Sequence, residues 1–323
     1  TREWSLQLMR EVYTWAEVQF DRWFFESEMD NPSVSLVKEG LKQGLFKEDQ
    51  GAIGIDLSED NLGFCLLLKS DGTGLYSTKD ILLATRKFSE FGIKKNIYIV
   101  DDRQSHHFKQ VFKVLEKMGH EQAKDCIHLQ YDVVELPDGA MSSRKGNIIP
   151  LTQLVHRMEK AIKHDYLNRY LTLEQESERW TAEEVHTTAH LLANGAIKYG
   201  MIRIDNTRKI VFDLEAWLKL DGETGPYLQY VAARIQSLLR KVAFDPKEKI
   251  NWDTLILPEE KHLAFFCCRF NTIVEDAALK YKTLALTSYL YDLGKLYNHF
   301  YVIAPIMRAE TKELQSARLA LSL

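Results

Sequence analysis

The chain has 323 residues, 45% apolar and 27% charged, with a formal net charge of -4; this is an ordinary globular composition with material for a sizeable core in one large or two ordinary domains. It excludes nucleic-acid binding carried by overall charge, so any RNA contact must come from local basic patches. No apolar run approaches the roughly 20 residues needed to span a bilayer, no leader pattern is present, and Cys65, Cys126, Cys267 and Cys268 form no C-x-x-C pair, which argues against a metal site or a disulfide framework and for buried reduced thiols in a cytoplasmic protein.

In chain order, Trp4 to Val18 has the spacing of an amphipathic helix, already under way at Thr1, as expected of a truncated chain. The aromatic run Phe20 to Glu28 is expected as a strand, and Asn61 to Lys69 as another around Phe64-Cys65-Leu66-Leu67-Leu68. Asp71 to Gly74 is a turn, Thr78 to Phe88 a helix, Asn96 to Val100 a short apolar strand, His107 to Met118 a helix closed by Gly119, and Ile127 to Val134 a strand. This alternation predicts an α/β domain with a largely parallel sheet. After about Leu151 strands are no longer expected. Thr181 and Glu184 form a capping box opening a long helix with Val185, Ala189, Leu192, Ala196 and Tyr199 on its apolar face. Pro226 suits the first turn of the next helix. Leu286, Tyr289, Leu290, Leu293, Leu296, Tyr297 and Phe300 share one face of a further helix that Pro305 ends.

Four segments carry residues suited to chemistry. In Met141-Ser142-Ser143-Arg144-Lys145-Gly146-Asn147, glycine permits close backbone approach to a polyphosphate and the two cations offset developing negative charge; alone, such a loop is equally a solvated turn. In Gly74 to Asp80, Tyr76 and Asp80 lie one helical turn apart, and a carboxylate there can hold a guanidinium through two parallel hydrogen bonds; alternatively, Ser77 is an N-cap with Asp80 as its capping-box partner. The segment Val100 to Gln110 follows an apolar strand, which puts Gln104 and His107 where ligands bind in α/β sheets; otherwise His107 and Gln110 are ordinary helix-surface residues. In Asp221 to Arg234, aromatic residues beside a polar loop can stack on unpaired bases or pack into the helical core.

Together these segments resemble, in order and spacing, the arginyl-tRNA synthetases. Met-Ser-Ser-Arg-Lys-Gly resembles the degenerate form of the second class I signature, and Gly195 to Gly200, Asn206 to Asp213 and Ala317 to Leu321 are similar to further stretches of that family. The resemblance covers nearly the whole chain. It implies an α/β, Rossmann-type class I synthetase catalytic domain, incomplete here, with its stem-contact helices over residues 1–212. An all-α anticodon-binding helical bundle over 213–323 follows. The implied activity is arginine–tRNA ligation: ATP, with Mg2+, activates L-arginine to arginyl-adenylate, and the arginyl group moves to the 3' end of tRNA-Arg. The implied roles are arginine binding for Tyr76, Asp80 and Gln104; the ATP site for His107 and Gln110; the mobile catalytic loop for Met141, Ser142, Ser143, Arg144, Lys145 and Gly146; and tRNA contact for Tyr227, Gln229, Tyr230 and Arg234. No protein-bound metal and no membrane association are expected, and the expected state is a cytoplasmic monomer.

The chain departs from the family pattern in three ways. Ala140 and Ser143 stand where the general signature has lysines, and Ala232-Ala233-Arg234 replaces a common His-Ala-Arg. No histidine-x-glycine-histidine signature occurs, so the isolated chain is expected to have little or no ligase activity. A non-catalytic tRNA-binding module is the alternative reading.

Overall fold

The computed structural model describes residues 2–137, 139–140, 149–242, 244–245 and 247–323. Two compact units emerge, Glu17–Val133 on one side and Thr1–Ala16 with Val134–Leu323 on the other. The amphipathic pattern at the start becomes α1 (Arg2–Ala16), which belongs to the larger unit.

The smaller unit runs α2 (Glu26–Lys42), β1 (Lys47–Asp49), β2 (Ala52–Asp56), β3 (Phe64–Leu68), α3 (Tyr76–Phe91), β4 (Asn96–Asp101), α4 (Ser105–Lys117) and β5 (Cys126–Tyr131). The first three strands form an antiparallel sheet in the order β1-β2-β3. Asp49 pairs with Ala52 across Gln50 and Gly51, both at positive φ (51° and 79°), which is the backbone a two-residue hairpin turn requires. Among the described strands, the expected largely parallel sheet is reduced in this unit to one parallel pair, β4 with β5. The reason is connection length: hairpins join β1 to β3, and between β4 and β5 lies the helix α4, long enough for a crossover. The core gathers Val37, Leu57, Leu67, Ile81, Val111 and Leu115.

The aromatic run expected as a strand is an irregular connection up to Phe25, and α2 starts at Glu26. A strand needs a ladder partner, whereas these rings pack on one another and on α3: Phe20 on Trp23 at 5.8 Å, Trp23 on Phe25 at 6.4 Å, and Phe24 on Phe91 at 6.2 Å.

The larger unit continues with β6 (Val134–Leu136), β7 (Gly139–Ala140), α5 (Leu151–Ile162), α6 (Ala182–Ile202), β8 (Ile210–Val211), α7 (Leu214–Trp217), α8 (Gly225–Lys241), α9 (Pro258–Cys268), α10 (Phe270–Lys280), α11 (Thr283–Ile303) and α12 (Lys312–Leu321). Strands do not end at residue 151, because β8 returns to pair in parallel with β6. The capping box of α6 forms as expected: Glu184 N–H donates to the Thr181 hydroxyl at 3.1 Å, and Thr181 N–H to the Glu184 carboxylate at 2.7 Å. Pro226 lies in the first turn of α8, whose cap Thr224 accepts from Tyr227 N–H at 3.2 Å. One core holds Leu154, Met158, Val185 and Trp217; another holds Val231, Leu263, Tyr297, Phe300 and Leu319. Glu260 and Arg318, both buried, tie α9 to α12 at 2.6 Å.

All four cysteines are free, but only Cys65 is buried and Cys126 half-buried; Cys267 and Cys268 are exposed at the end of α9, contrary to the expectation of buried thiols. Burial pushes the Cys65 and Cys126 thiols up to about 11. Among the described residues no helix is long and apolar enough to cross a membrane, and no group of His, Cys, Asp and Glu is placed to hold a metal ion.

Candidate functional site

In the smaller unit the site is built on the first turns of α3 and α4. The cap of α3 is Leu75, whose N–H donates to the Thr78 hydroxyl at 3.1 Å, and that hydroxyl donates onward to the Leu67 carbonyl. Ser77 is inside the helix and donates to the Leu66 carbonyl at 3.0 Å. These two hydroxyls moor the start of α3 to β3. The alternative in which Ser77 and Asp80 form the capping box is therefore overturned, and the Asp80 carboxylate is released from any capping duty. Tyr76, one turn before it, is three-quarters exposed (75%).

Asp80 Oδ2 accepts a hydrogen bond from His107 Nε2 at 2.7 Å, joining α3 to the first turn of α4, with both side chains about one-quarter exposed (29% and 26%). A carboxylate this accessible, with one oxygen not engaged by the imidazole, can take a planar cation. Further along α3, the Lys87 ammonium sits 5.2 Å from the centre of the Tyr98 ring, and burial lowers its pKa while the Asp80 charge raises it. Burial raises the Tyr98 phenol, which accepts from Asn96 Nδ2 at 2.7 Å. Lys87 and Tyr98 were not singled out from sequence; a lysine on the inner side of an otherwise apolar helix pattern was the available signal.

Gln104 is exposed and stands at the N-terminal flanking position of α4, just past the carboxyl end of β4, its side chain making no capping hydrogen bond. The acidic pair before it is not a free cation site, because Arg103 folds back on Asp101 through Nε and Nη2, both at 2.7 Å, holding that carboxyl down at about 2. Gln110 turns to the connection before β3 instead, donating from Nε2 to the Leu62 carbonyl at 2.8 Å.

In the larger unit, α8 presents the four residues expected to contact RNA. Gln229 donates to the Leu191 carbonyl of α6 at 2.9 Å, and Tyr227 OH accepts from Asn298 Nδ2 at 2.9 Å. Both are half-buried and brace neighbouring helices. Tyr230 is 45% exposed, and Arg234 lies over it and over Tyr301, 4.8 and 5.0 Å from the ring centres. Arg234 also donates to Asn298 Oδ1 at 2.7 Å and to Tyr230 OH at 2.5 Å. A groove of about 340 Å³ runs beside them, with Lys241 and Met307 on its walls. Aromatic faces held by a guanidinium are suited to stacking on unpaired bases. Asn298, which organises both Tyr227 and Arg234, was missed because it sits in an apolar helical pattern; its polarity there was the clue. The six loop residues Met141, Ser142, Ser143, Arg144, Lys145 and Gly146 lie outside the described residues.

Comparison with known proteins places these sites in context. Residues 4–214 match the family described as tRNA synthetases class I (R), catalytic domain, and residues 228–323 match the DALR anticodon binding domain. A relative from Bdellovibrio bacteriovorus named arginine–tRNA ligase is 55% identical over 322 residues, covering 100% of this chain and 54% of the relative; one of the same name from Parabacteroides distasonis is 33% identical, covering 99% and 53%. The solved Thermus thermophilus arginyl-tRNA synthetase superposes with a TM-score of 0.75 at 25% identity, over 90% of this chain and 54% of that one. The chain thus spans about half the length of the curated relatives it matches. It belongs to the class I (R) tRNA synthetase family and carries that family's catalytic domain followed by the DALR domain.

Proposed function

We propose that this chain, a class I (R) synthetase family member, supplies the arginine-recognising and tRNA-recognising parts of an arginine–tRNA ligase. The reading draws most directly on Asp80: a carboxylate on the first turns of α3, accessible, not used as a cap, and one turn from an exposed tyrosine. The names of the relatives point the same way. Arginine would seat its guanidinium on Asp80, with Tyr76 and Gln104 alongside. A lysine or neutral side chain cannot reproduce the two parallel hydrogen bonds, so discrimination would rest on an unpaired carboxylate.

For ATP, with Mg2+ carried on its own phosphates, Arg144 and Lys145 of the stretch Met141 to Gly146 would supply charge. The arginine carboxylate would attack the α-phosphate, releasing pyrophosphate, and the arginyl group would pass from the adenylate to the terminal adenosine of tRNA-Arg. Such chemistry needs positioning and charge stabilisation rather than a protein nucleophile. Tyr227, Gln229, Tyr230 and Arg234 belong, in this reading, to the RNA-contacting start of the helical domain, the two domains dividing at residues 212 and 213, in a monomeric cytoplasmic enzyme.

The test is charging of purified tRNA-Arg by the complete gene product with labelled arginine, ATP and Mg2+. Arginine-dependent charging is expected, with kcat/KM for arginine reduced about 100-fold or more in Asp80→Asn. Tight tRNA binding with no charging would instead establish a non-catalytic tRNA-binding module.

A further inference from the structure

Resting on the reading of this region as an arginine site, we infer that His107 is a positioning residue for arginine selection: it holds the Asp80 carboxylate in the orientation a guanidinium needs, and ATP does not depend on it. The 2.7 Å bond between His107 Nε2 and Asp80 Oδ2 links residues 27 apart in sequence, on two different helices. A carboxylate only accepts, so Nε2 carries the proton and the tautomer is set. The imidazole is itself held by an edge-on contact with Phe108, with ring centres 5.0 Å apart and planes at 84°.

The consequence lies in what remains of the carboxylate. Two oxygens offer about four acceptor positions, and His107 takes one of them on Oδ2. Oδ1 and one position on Oδ2 remain, so each oxygen still has an acceptor position for one arm of a guanidinium fork. Without the imidazole the carboxylate is free to rotate about its own side-chain bonds, and the fork would have to fix that rotation on binding. Lys87 also senses the Asp80 charge, but it is held over the Tyr98 ring. With Nε2 committed to Asp80, a phosphate could take that proton only by breaking the bond that orients the carboxylate.

The experiment measures KM for arginine and for ATP, and kcat, in tRNA charging by the complete gene product. His107→Leu is expected to raise the arginine KM about 10- to 100-fold, the loss of one charge-assisted hydrogen bond, while ATP KM and kcat stay within a factor of about three. His107→Gln, whose Nε2 can reach the place of the imidazole Nε2, is expected to restore most of the arginine KM. In an Asp80→Asn background, His107→Leu should add no further loss for arginine. His107→Asn, too short to reach Asp80, serves in place of the leucine variant if that one does not fold. A rise in ATP KM with arginine KM unchanged would overturn the inference, as would a glutamine variant as impaired as the leucine one. Absence of arginine-dependent charging by the wild type would instead sink the underlying reading.

Discussion

Asp205 shows how a single side chain can fasten two elements that lie far apart in sequence. It follows α6, and its Oδ2 accepts from the Lys282 ammonium at 2.6 Å, just before α11, while Oδ1 accepts from the Thr207 hydroxyl at 2.7 Å and the Thr207 N–H at 3.1 Å. The Lys282 hydrogen bond, then those from Thr207, hold this carboxyl down at about 2. A carboxyl depressed in the folded state contributes stability that is fully present above its unfolded value near 4 and is lost as pH falls from there towards 2. The Asp205 carboxylate is 16% exposed but Lys282 is 49% exposed, so solvent and salt screen part of the effect. Thermal melts should show it: Asp205→Asn is expected to lower the midpoint by about 2–4 °C near pH 6, with the difference vanishing near pH 2 and shrinking in 1 M salt. An equal gap at both pH values would mean that the contribution is not electrostatic.

At the scale of elements, the approach of α6 to α8 depends on two glycines within stretches that carried the family resemblance. A methyl group on Gly225 would come within 2.3 Å of the Gly195 carbonyl oxygen, a backbone atom that cannot turn aside; one on Gly195 would meet the Gln229 amide, which can. Gly225→Ala is therefore expected to destabilise the unit by about 1–3 kcal/mol, the range for overpacking, and Gly195→Ala by about 1 kcal/mol, the value of the Gln229 to Leu191 hydrogen bond it displaces. Denaturant midpoints of the two variants would check the order; Gly195→Ala being the worse would contradict it. These contacts also mark what was legible from sequence. Local signals were read correctly: the Thr181 capping box, Pro226 in the first turn of α8, and the stop before Pro305 all depend on neighbours within a few residues. The aromatic run before α2 was misread as a strand because strand identity depends on a partner elsewhere in the chain, as the pairing of β8 with β6 also does. At the candidate site, the grouping of Tyr76 and Asp80 one turn apart was visible, but the His107 bond across 27 residues was not, since no local spacing encodes a contact between two helices.

For the molecule as a whole, the two units keep separate cores, and the groups needed for recognition and for chemistry are not equally represented in these 323 residues. On the proposed reading, recognition rests on an accessible carboxylate beside an exposed tyrosine in one unit, and on Tyr230, Arg234 and Tyr301 stacked in the other. Phosphate chemistry is less well supplied, because Arg144 and Lys145 are the loop's cations and the sequence contains no histidine-x-glycine-histidine. Each donor aimed at developing charge is worth about 10²–10³ in rate. On the proposed reading, a polypeptide of these 323 residues is therefore expected to charge tRNA-Arg about 1000-fold or more slowly than a ligase that carries that signature. It should still bind that tRNA, weakly given its net charge of -4, with affinity falling steeply as salt rises. Arg234→Ala should weaken this binding by removing the guanidinium that sits over Tyr230 and Tyr301. Filter binding across a salt series, run beside the charging assay, separates the two capacities. Charging at the rate of a ligase that carries the signature would show that it is dispensable, and the phosphate-stabilising role would then have to fall on cations within this chain, Arg144 and Lys145 first among them.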